Sequence, residues 1–550
     1  MVDPKALRGF TCSRLIALDK QPGVRPIGIG EVSRRVIGKA ILSVIKEDIM
    51  RVAGVRQLCV GQQAGCDAAI HALRCIYDLP TSEAILLVDA SNAFNNLNRK
   101  VALLNIQHSC PSLATVLINT YRQDPEFYIE GETILSMEGT TQGDPLAMAM
   151  FALAMVPLVD KASGGARQVW YADDASAGGK MEELRAWWDK ITRFGPEYGY
   201  YPNPAKTWLV VKEEHLEAAR NTFGSSGVQI TTEGRQYLGA PIGSKEFVEM
   251  ALKRKVDAWV TEVEKLTLIA KTHPHAAYAA YCHGLCHRWK FISRTTPTNG
   301  ELFTPLETAI RDHFLPSISD KWDISHCMRK IIALPTRCGG LGVVNPQEEC
   351  TREYAASCLL SGPLTKLILQ QEGCMPPSIY AEQKQAKTAI SQQKTVHITE
   401  ATEKVLGEVQ AEQRRMIELA SEKGASSWLT TLPIEEHGFH LSKTAFWDAI
   451  HLRYGWRPEK LPDKCVCGVQ FSVEHALTCP RGGFTFIRHN EIRDMTANLL
   501  SEVCHGVQTE PDLQLLTGET LAHQTANRQD NARLDIRAQG FWGERRQDAF

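Results

Sequence analysis

The chain has 550 residues, enough for several domains with a substantial core. With 43% apolar and 23% charged residues it falls outside the disordered and fibrous classes. A formal net charge of -2 excludes a uniformly basic coat, so any nucleic-acid-binding surface has to be local.

Sixteen cysteines lie without a disulfide-like spacing, and Met1-Val2-Asp3-Pro4-Lys5 is no apolar leader. Both point to reduced thiols inside a cell. The longest apolar run, Pro145 to Val159, is too short for a membrane span. Residues 1–30 read as loop-rich, entering a fold already under way. Ser33 to Val52 reads as a single amphipathic helix, with Val36, Ile37, Ala40, Ile41, Val44, Ile45 and Ile49 on one face. Arg34, Arg35 and Lys39 form a local basic patch at its start. A second helix is expected over Gln62 to Tyr77.

Ala84-Ile85-Leu86-Leu87-Val88 is a continuous apolar run, the pattern of a buried strand, and it stops at Asp89. Glu138 to Pro145 is turn chemistry leading into a helix, with Asp144 as its N-cap and Gln142 and Gly143 just before it. That helix, Leu146 to Val159, is apolar on all sides and should be buried. Val169-Trp170-Tyr171 then climbs to Asp173-Asp174, and small residues follow, Ala175 to Gly179. This is a tight hairpin with an acidic pair at its turn. A solvated acidic turn would look the same. Adjacent carboxylates repel, however, and a hard cation such as Mg²⁺ neutralises them. If the Asp89 strand lies beside the hairpin, three carboxylates meet and could hold two metal ions for in-line nucleotidyl transfer.

Gly199 to Thr207 is a turn feeding the strand Trp208-Leu209-Val210-Val211, and Gln236 to Gly243 is a Gly-bounded strand pair. Beyond residue 245 the pattern is helical, with Val256, Val260, Val263, Leu266 and Ile269 on one face and Lys253-Arg254-Lys255 near the start. Helices are expected again over 350–372 and 401–423. The Gln/Lys-rich stretch Gln383 to Lys394 between them reads as a flexible link. Cys465, Cys467, His475 and Cys479 form a Cys-x-Cys-x7-His-x3-Cys array. Thiolates and imidazole favour Zn²⁺ in a tetrahedron, although the first pair is more tightly spaced than usual. Arg481, Arg488, His489 and Arg493 follow as a candidate nucleic-acid contact.

Three of these segments together resemble the signature motifs of reverse transcriptases. Asp89-Ala90-Ser91-Asn92-Ala93-Phe94-Asn95 resembles motif A, Thr141-Gln142-Gly143-Asp144-Pro145-Leu146 motif B, and Tyr171-Ala172-Asp173-Asp174 motif C, in the family's order and spacing. Arg25-Pro26-Ile27-Gly28-Ile29 resembles motif 2, Gly199 to Thr207 motif D, and Gln236 to Gly243 motif E. Leu334 to Gly342 is similar to a segment that follows the thumb. Leu534-Asp535-Ile536-Arg537 is similar to the first acidic strand of a restriction-like endonuclease. The whole pattern resembles the polymerase of non-LTR retrotransposons that carry a C-terminal CCHC zinc knuckle and such an endonuclease.

The resemblance implies an α/β (α+β) fold with a right-hand palm. Residues 1–80 would be partial fingers, 81–245 the palm and 246–345 a helical thumb. Residues 346–460 would be a helical connector, 461–495 the zinc knuckle with its basic segment, and 496–550 a truncated endonuclease. It implies an RNA-directed DNA polymerase, a transferase acting on an RNA template, a DNA primer or target and dNTPs, in the nucleus and without a membrane partner. Asp89, Asp173 and Asp174 would hold two Mg²⁺, and Lys206 would protonate the departing pyrophosphate. Arg25 would contact the incoming triphosphate. Phe94 would exclude a 2′-hydroxyl, and Gln142 and Gly143 would support the template–nucleotide pair. Cys465, Cys467, His475 and Cys479 would hold Zn²⁺. Asp535 would be a remnant of a nuclease that no longer cuts, and the chain would be truncated at both ends relative to the family. Two rivals stay open: an inactive element-derived protein that only binds nucleic acid, and an RNA-directed RNA polymerase, which Phe94 disfavours.

Overall fold

The computed structural model describes residues 3–20, 23–458, 461–511, 533–541 and 547–549, in two units, Met1–Gly455 and Trp456–Phe550. The first thirty residues are regular structure, against the loop-rich expectation. Helix α1 (Pro4–Thr11) leads into an antiparallel pair, β1 (Ser13–Asp19) and β2 (Val24–Gly30). Pro26, Gly28 and Gly30 lie in β2, the edge strand of its sheet. There a missing N–H breaks no ladder.

The helix expected over Ser33 to Val52 is two helices, α2 (Val32–Val44) and α3 (Lys46–Ala53), broken at Ile45. The break turns Ile49, Met50 and Ala53 into the core while Val36 and Ile37 stay exposed. The basic patch at its start is also corrected. Arg34 is buried, and its guanidinium pairs with Asp144 at 2.5 Å and 2.6 Å, so it is spent inside the fold. Helix α4 (Gly65–Asp78) follows, close to its expected span.

The run Ala84–Val88 is strand β3, with all five residues buried. An antiparallel pair, β4 (Glu126–Ile129) and β5 (Glu132–Leu135), completes the first sheet in the order β2-β1-β4-β5. The all-apolar segment is helix α5 (Ala147–Ala162), buried on nearly every side as expected. Its first turn starts after Asp144, which therefore caps the preceding turn: its carboxylate accepts from the Leu146 N–H at 2.8 Å.

Strands β6 (Arg167–Tyr171) and β7 (Asp174–Gly179) form the expected hairpin, and β8 (Trp208–Val211) and β9 (Gln229–Thr231) extend the sheet. The order is β6-β7-β3-β8-β9, antiparallel except for β8 with β9, which puts β3 at the centre. A separate two-stranded ribbon, β10 (Gly234–Tyr237) with β11 (Ala240–Gly243), follows.

The rest of this unit is helical. Helix α6 (Lys245–Ala270) buries Leu252, Val256, Trp259, Val263 and Leu266. Farther on, α7 (His326–Ala333) carries Arg329, whose guanidinium meets both oxygens of buried Glu307 at 2.7 Å and the Val343 carbonyl at 2.7 Å. Both charges lie out of water, so removing one strands the other. Arg329→Met is expected to destabilise this unit by about 3–5 kcal/mol. Chemical denaturation would measure it, and a second change, Glu307→Leu, should recover much of the loss.

Helix α8 (Pro346–Gln370) precedes α9 (Ser378–Glu408), a continuous 31-residue helix. The flexible link expected at Gln383 to Lys394 lies inside α9. The stretch holds no Gly or Pro, and Gln, Lys and Ala are good helix formers.

In the second unit, helix α10 (Val473–Thr478) and helix α11 (Phe484–Ser501) precede a three-stranded antiparallel sheet. Its strands are β12 (His505–Thr509), β13 (Ile536–Gln539) and β14 (Gln547–Ala549), with β13 central. Among the described residues no helix is long and apolar enough to cross a membrane.

Candidate active site and candidate metal centre

Strand register brings the three carboxylates together. Val88 at the end of β3 pairs with Ala175 in β7, so Asp89 leaves the sheet opposite Asp174. In the β6–β7 hairpin Tyr171 pairs with Asp174, leaving Ala172 and Asp173 as the turn. Ala172 is left-handed, with φ +54°, a conformation a non-glycine residue adopts only when its surroundings hold it there. Two side chains do so. Buried Gln57 donates from Nε2 to the Ala172 carbonyl at 2.9 Å and accepts the Ala172 N–H on Oε1 at 3.0 Å. The buried Tyr200 hydroxyl donates to the Asp173 carbonyl at 3.0 Å.

The electrostatics are those of a site short of positive charge. The Asp174 carboxyl keeps an open side, yet withdrawal from bulk water, then Asp173 and Asp89, push it up to about 7. Loss of water is also the main cause that raises Asp173, with Asp89 adding to it and Arg25 and Lys20 opposing. Lys206 Nζ stands 3.9 Å from Asp89 Oδ2. Three hard oxygen donors, of which Asp89 holds back the ionisation of Asp173 and Asp174, are a donor set suited to Mg²⁺.

The other sequence candidates sit around this turn. Arg25 is exposed on β2 opposite Leu18, and its charge reaches Asp173. Phe94 is half-buried and stacked on Phe151, with ring centroids 4.4 Å apart. Gln142 donates to Asn95 Oδ1 at 3.1 Å, and its carbonyl accepts the Gly28 N–H at 2.7 Å. That bond ties the loop before α5 to the β1–β2 hairpin. Gly143 has φ +107°, and a Cβ there would stand 2.5 Å from the Gly28 carbonyl oxygen, so only glycine fits. Lys206 ends a short 3-10 turn capped by Asn203. Gln57 and Tyr200 were missed by the sequence reading. Gln57 lies 115 residues from Ala172, and no local spacing marks either residue.

In the second unit Cys465, Cys467, His475 and Cys479 converge, with their ligand atoms all within 4.8 Å of one another. A tight turn that returns Val469 to the Cys465 N–H brings the first two thiols together. Helix α10, capped by Ser472, presents His475 and leads to Cys479. Three thiols and an imidazole in one cluster are donors suited to Zn²⁺. The basic segment after it is partly used up. Arg493 pairs with Asp494 at 2.8 Å and with Glu510, and His489 lies 3.3 Å from Asp535. Arg481 and Arg488 remain exposed. Asp535 precedes β13 and does not lie within it, and Asp548 has a strand position, in β14 opposite Ala538.

Comparison with known proteins adds a family. Residues 18–242 match the family model described as "Reverse transcriptase (RNA-dependent DNA polymerase)". No curated protein sequence matches the chain. Similar solved structures include apo telomerase from Candida tropicalis truncated from its C-terminal domain, at 14% identity and TM-score 0.30, covering 39% of this chain and 52% of that one. The chain thus spans about half the length of that relative. Apo telomerase from the same organism matches at 13% identity and TM-score 0.37, over 76% of this chain and 70% of that one. Telomerase from Candida albicans, in complex with a TWJ fragment of telomeric RNA, matches at 11% and 0.32, over 68% and 64%. The match to the reverse transcriptase family model is confined to residues 18–242, less than half of the chain.

Proposed function

We propose that the chain is an RNA-directed DNA polymerase of non-LTR retrotransposon type. The observation that carries the reading is the strand register that sets Asp89 against the Asp173-Asp174 turn inside the matched domain. The division into partial fingers (1–80), palm (81–245), thumb (246–345), connector (346–460), zinc knuckle (461–495) and nuclease-like segment (496–550) belongs to the same reading.

In the proposed reaction the primer 3′-hydroxyl oxygen attacks the α-phosphorus of a dNTP. The bond to the bridging oxygen breaks, and pyrophosphate leaves. Asp89 and Asp173 would hold two Mg²⁺, with Asp174 in support. When bound, the metal supplies an activated hydroxyl and neutralises charge on the leaving group. Arg25 offers a guanidinium that can grip phosphate oxygens in a bidentate way. Lys206 would give a proton to the pyrophosphate oxygen, a general-acid role. Gln142 and Gly143 support the template–nucleotide pair, and Cys465, Cys467, His475 and Cys479 hold a structural Zn²⁺.

Primer extension on a primed RNA template, with dNTPs and Mg²⁺, tests the reading. A DNA product is expected. RNA binding without any product would leave a protein that only binds nucleic acid. Sugar choice is a separate test. Phe94 is backed by Phe151, which makes it a firm wall against a 2′-hydroxyl. Phe94→Ala should relax discrimination against ribonucleotides by up to about 10²-fold, the range a hydrophobic pocket gives against an added hydroxyl. Unchanged selectivity would remove Phe94 from that role.

A further inference from the structure

Strand β6 is an edge of the five-stranded sheet, so its outward backbone groups have no neighbouring strand. They are capped one alternate residue after another. The Gln371 side-chain amide donates to the Gln168 carbonyl at 3.1 Å and accepts the Gln168 N–H at 2.9 Å. The Leu58 N–H donates to the Trp170 carbonyl at 3.1 Å. The Gln57 side-chain amide then takes both backbone groups of Ala172, beyond the last residue of the strand.

That last rung differs from the others. Gln57 is fully buried, and Ala172 is the left-handed residue directly before Asp173. A carboxamide can serve both groups in one orientation only, with nitrogen on the carbonyl and oxygen on the N–H. The Cys59 thiol, 3.3 Å from Gln57 Oε1, favours the same orientation. The amide therefore acts as a substitute strand, extending the ladder to the point where the acidic pair begins.

We propose that Gln57 is a positioning residue for the acidic turn: its amide fixes the Ala172 peptide and thereby aims the Asp173 and Asp174 carboxylates at the metal they bind. The inference rests on the reading of those carboxylates as a metal site. Outer groups that orient metal ligands typically contribute about 10–100-fold in metal affinity, and that is the effect expected here.

The test uses the full chain and Mn²⁺ as probe, followed by electron paramagnetic resonance, with Asp173→Ala as the baseline. Gln57→Met keeps an unbranched side chain of similar length but has no hydrogen-bonding amide. It should melt cooperatively, bind Mn²⁺ about 10–100-fold more weakly and lose amide-exchange protection in the peptide covering Ala172. Gln371→Met removes the same device four residues back along the edge and should leave Mn²⁺ binding unchanged. If Gln57→Met does not fold, Gln57→Ala replaces it. There a water can satisfy the two groups without fixing the turn, so weaker Mn²⁺ binding is again expected. Parental affinity in a folded Gln57 variant, or an equal loss in Gln371→Met, overturns the proposal. A parent protein that binds Mn²⁺ through Asp173 but extends no primer would count against the polymerase reading alone. A parent that binds no Mn²⁺ there would overturn both.

Discussion

Asp173→Ala is expected to reduce primer extension by about 10³-fold or more while leaving the protein folded. The magnitude follows from the job assigned to the group. A metal-bound oxygen stabilises developing charge by several kcal/mol, and each 1.36 kcal/mol is about tenfold in rate. The structure explains why stability should survive. Asp173 and Asp89 each raise the Asp174 carboxyl, so deleting one carboxylate relieves repulsion in the metal-free protein. In chelator the variant should melt no lower than the parent. The two readouts separate the possibilities: lost extension with an unchanged melt places Asp173 in the chemistry, whereas lost extension with a lower melt assigns it a structural part. Full extension by the variant would remove the acidic turn from the proposed mechanism.

Removal of metal from the Cys465–Cys479 cluster should have the larger effect on folding. Around those four ligands the chain has little else to hold it. Helix α10 is six residues long, Val466, Val469 and Leu477 are exposed, and the buried residues from Cys465 to Cys479 are Cys465, Ala476 and Cys479. A segment without an apolar core takes its stability from its ligated metal, worth about 10–16 kcal/mol for structural zinc in comparable peptides. Purified protein should carry one zinc equivalent per chain. A strong chelator, or Cys479→Ser, should abolish amide protection over residues 465–479 and leave residues 18–242 as protected as before. Protection that survives complete removal of zinc would show that the segment folds without it.

The acidic site was legible in the sequence because it depends on two local patterns. An apolar run that ends in Asp89 and a hairpin that ends in Asp173-Asp174 fix where the carboxylates emerge, and the sheet register does the rest. The Cys/His cluster was legible for the same reason, since its ligands lie within fifteen consecutive residues. What escaped depends on distant partners. Arg34 reads as surface charge until Asp144, 110 residues away, is seen to take it into the core. Gln57 has no local signature, since its partner is the backbone of a turn 115 residues on. The misread link over Gln383 to Lys394 is a different kind of miss. Its polar composition suggests a flexible link, although the residues concerned favour helix.

That helix, α9, has an unusual distribution of burial. Ile379, Gln383 and Ala386 are buried near its start, where it packs on α8, and Val405 near its end, where it packs on α7. Most of the turns between are exposed. The helix is therefore a spacer about 45 Å long, at about 1.5 Å per residue, anchored near its two ends. Its middle is free to change in composition but not in length. One inserted residue would rotate one anchored end by about 100° relative to the other, whereas seven would restore the phase nearly completely. Seven residues would still lengthen the spacer by about 10 Å, so evolution at this segment should accept substitutions readily and resist insertions and deletions.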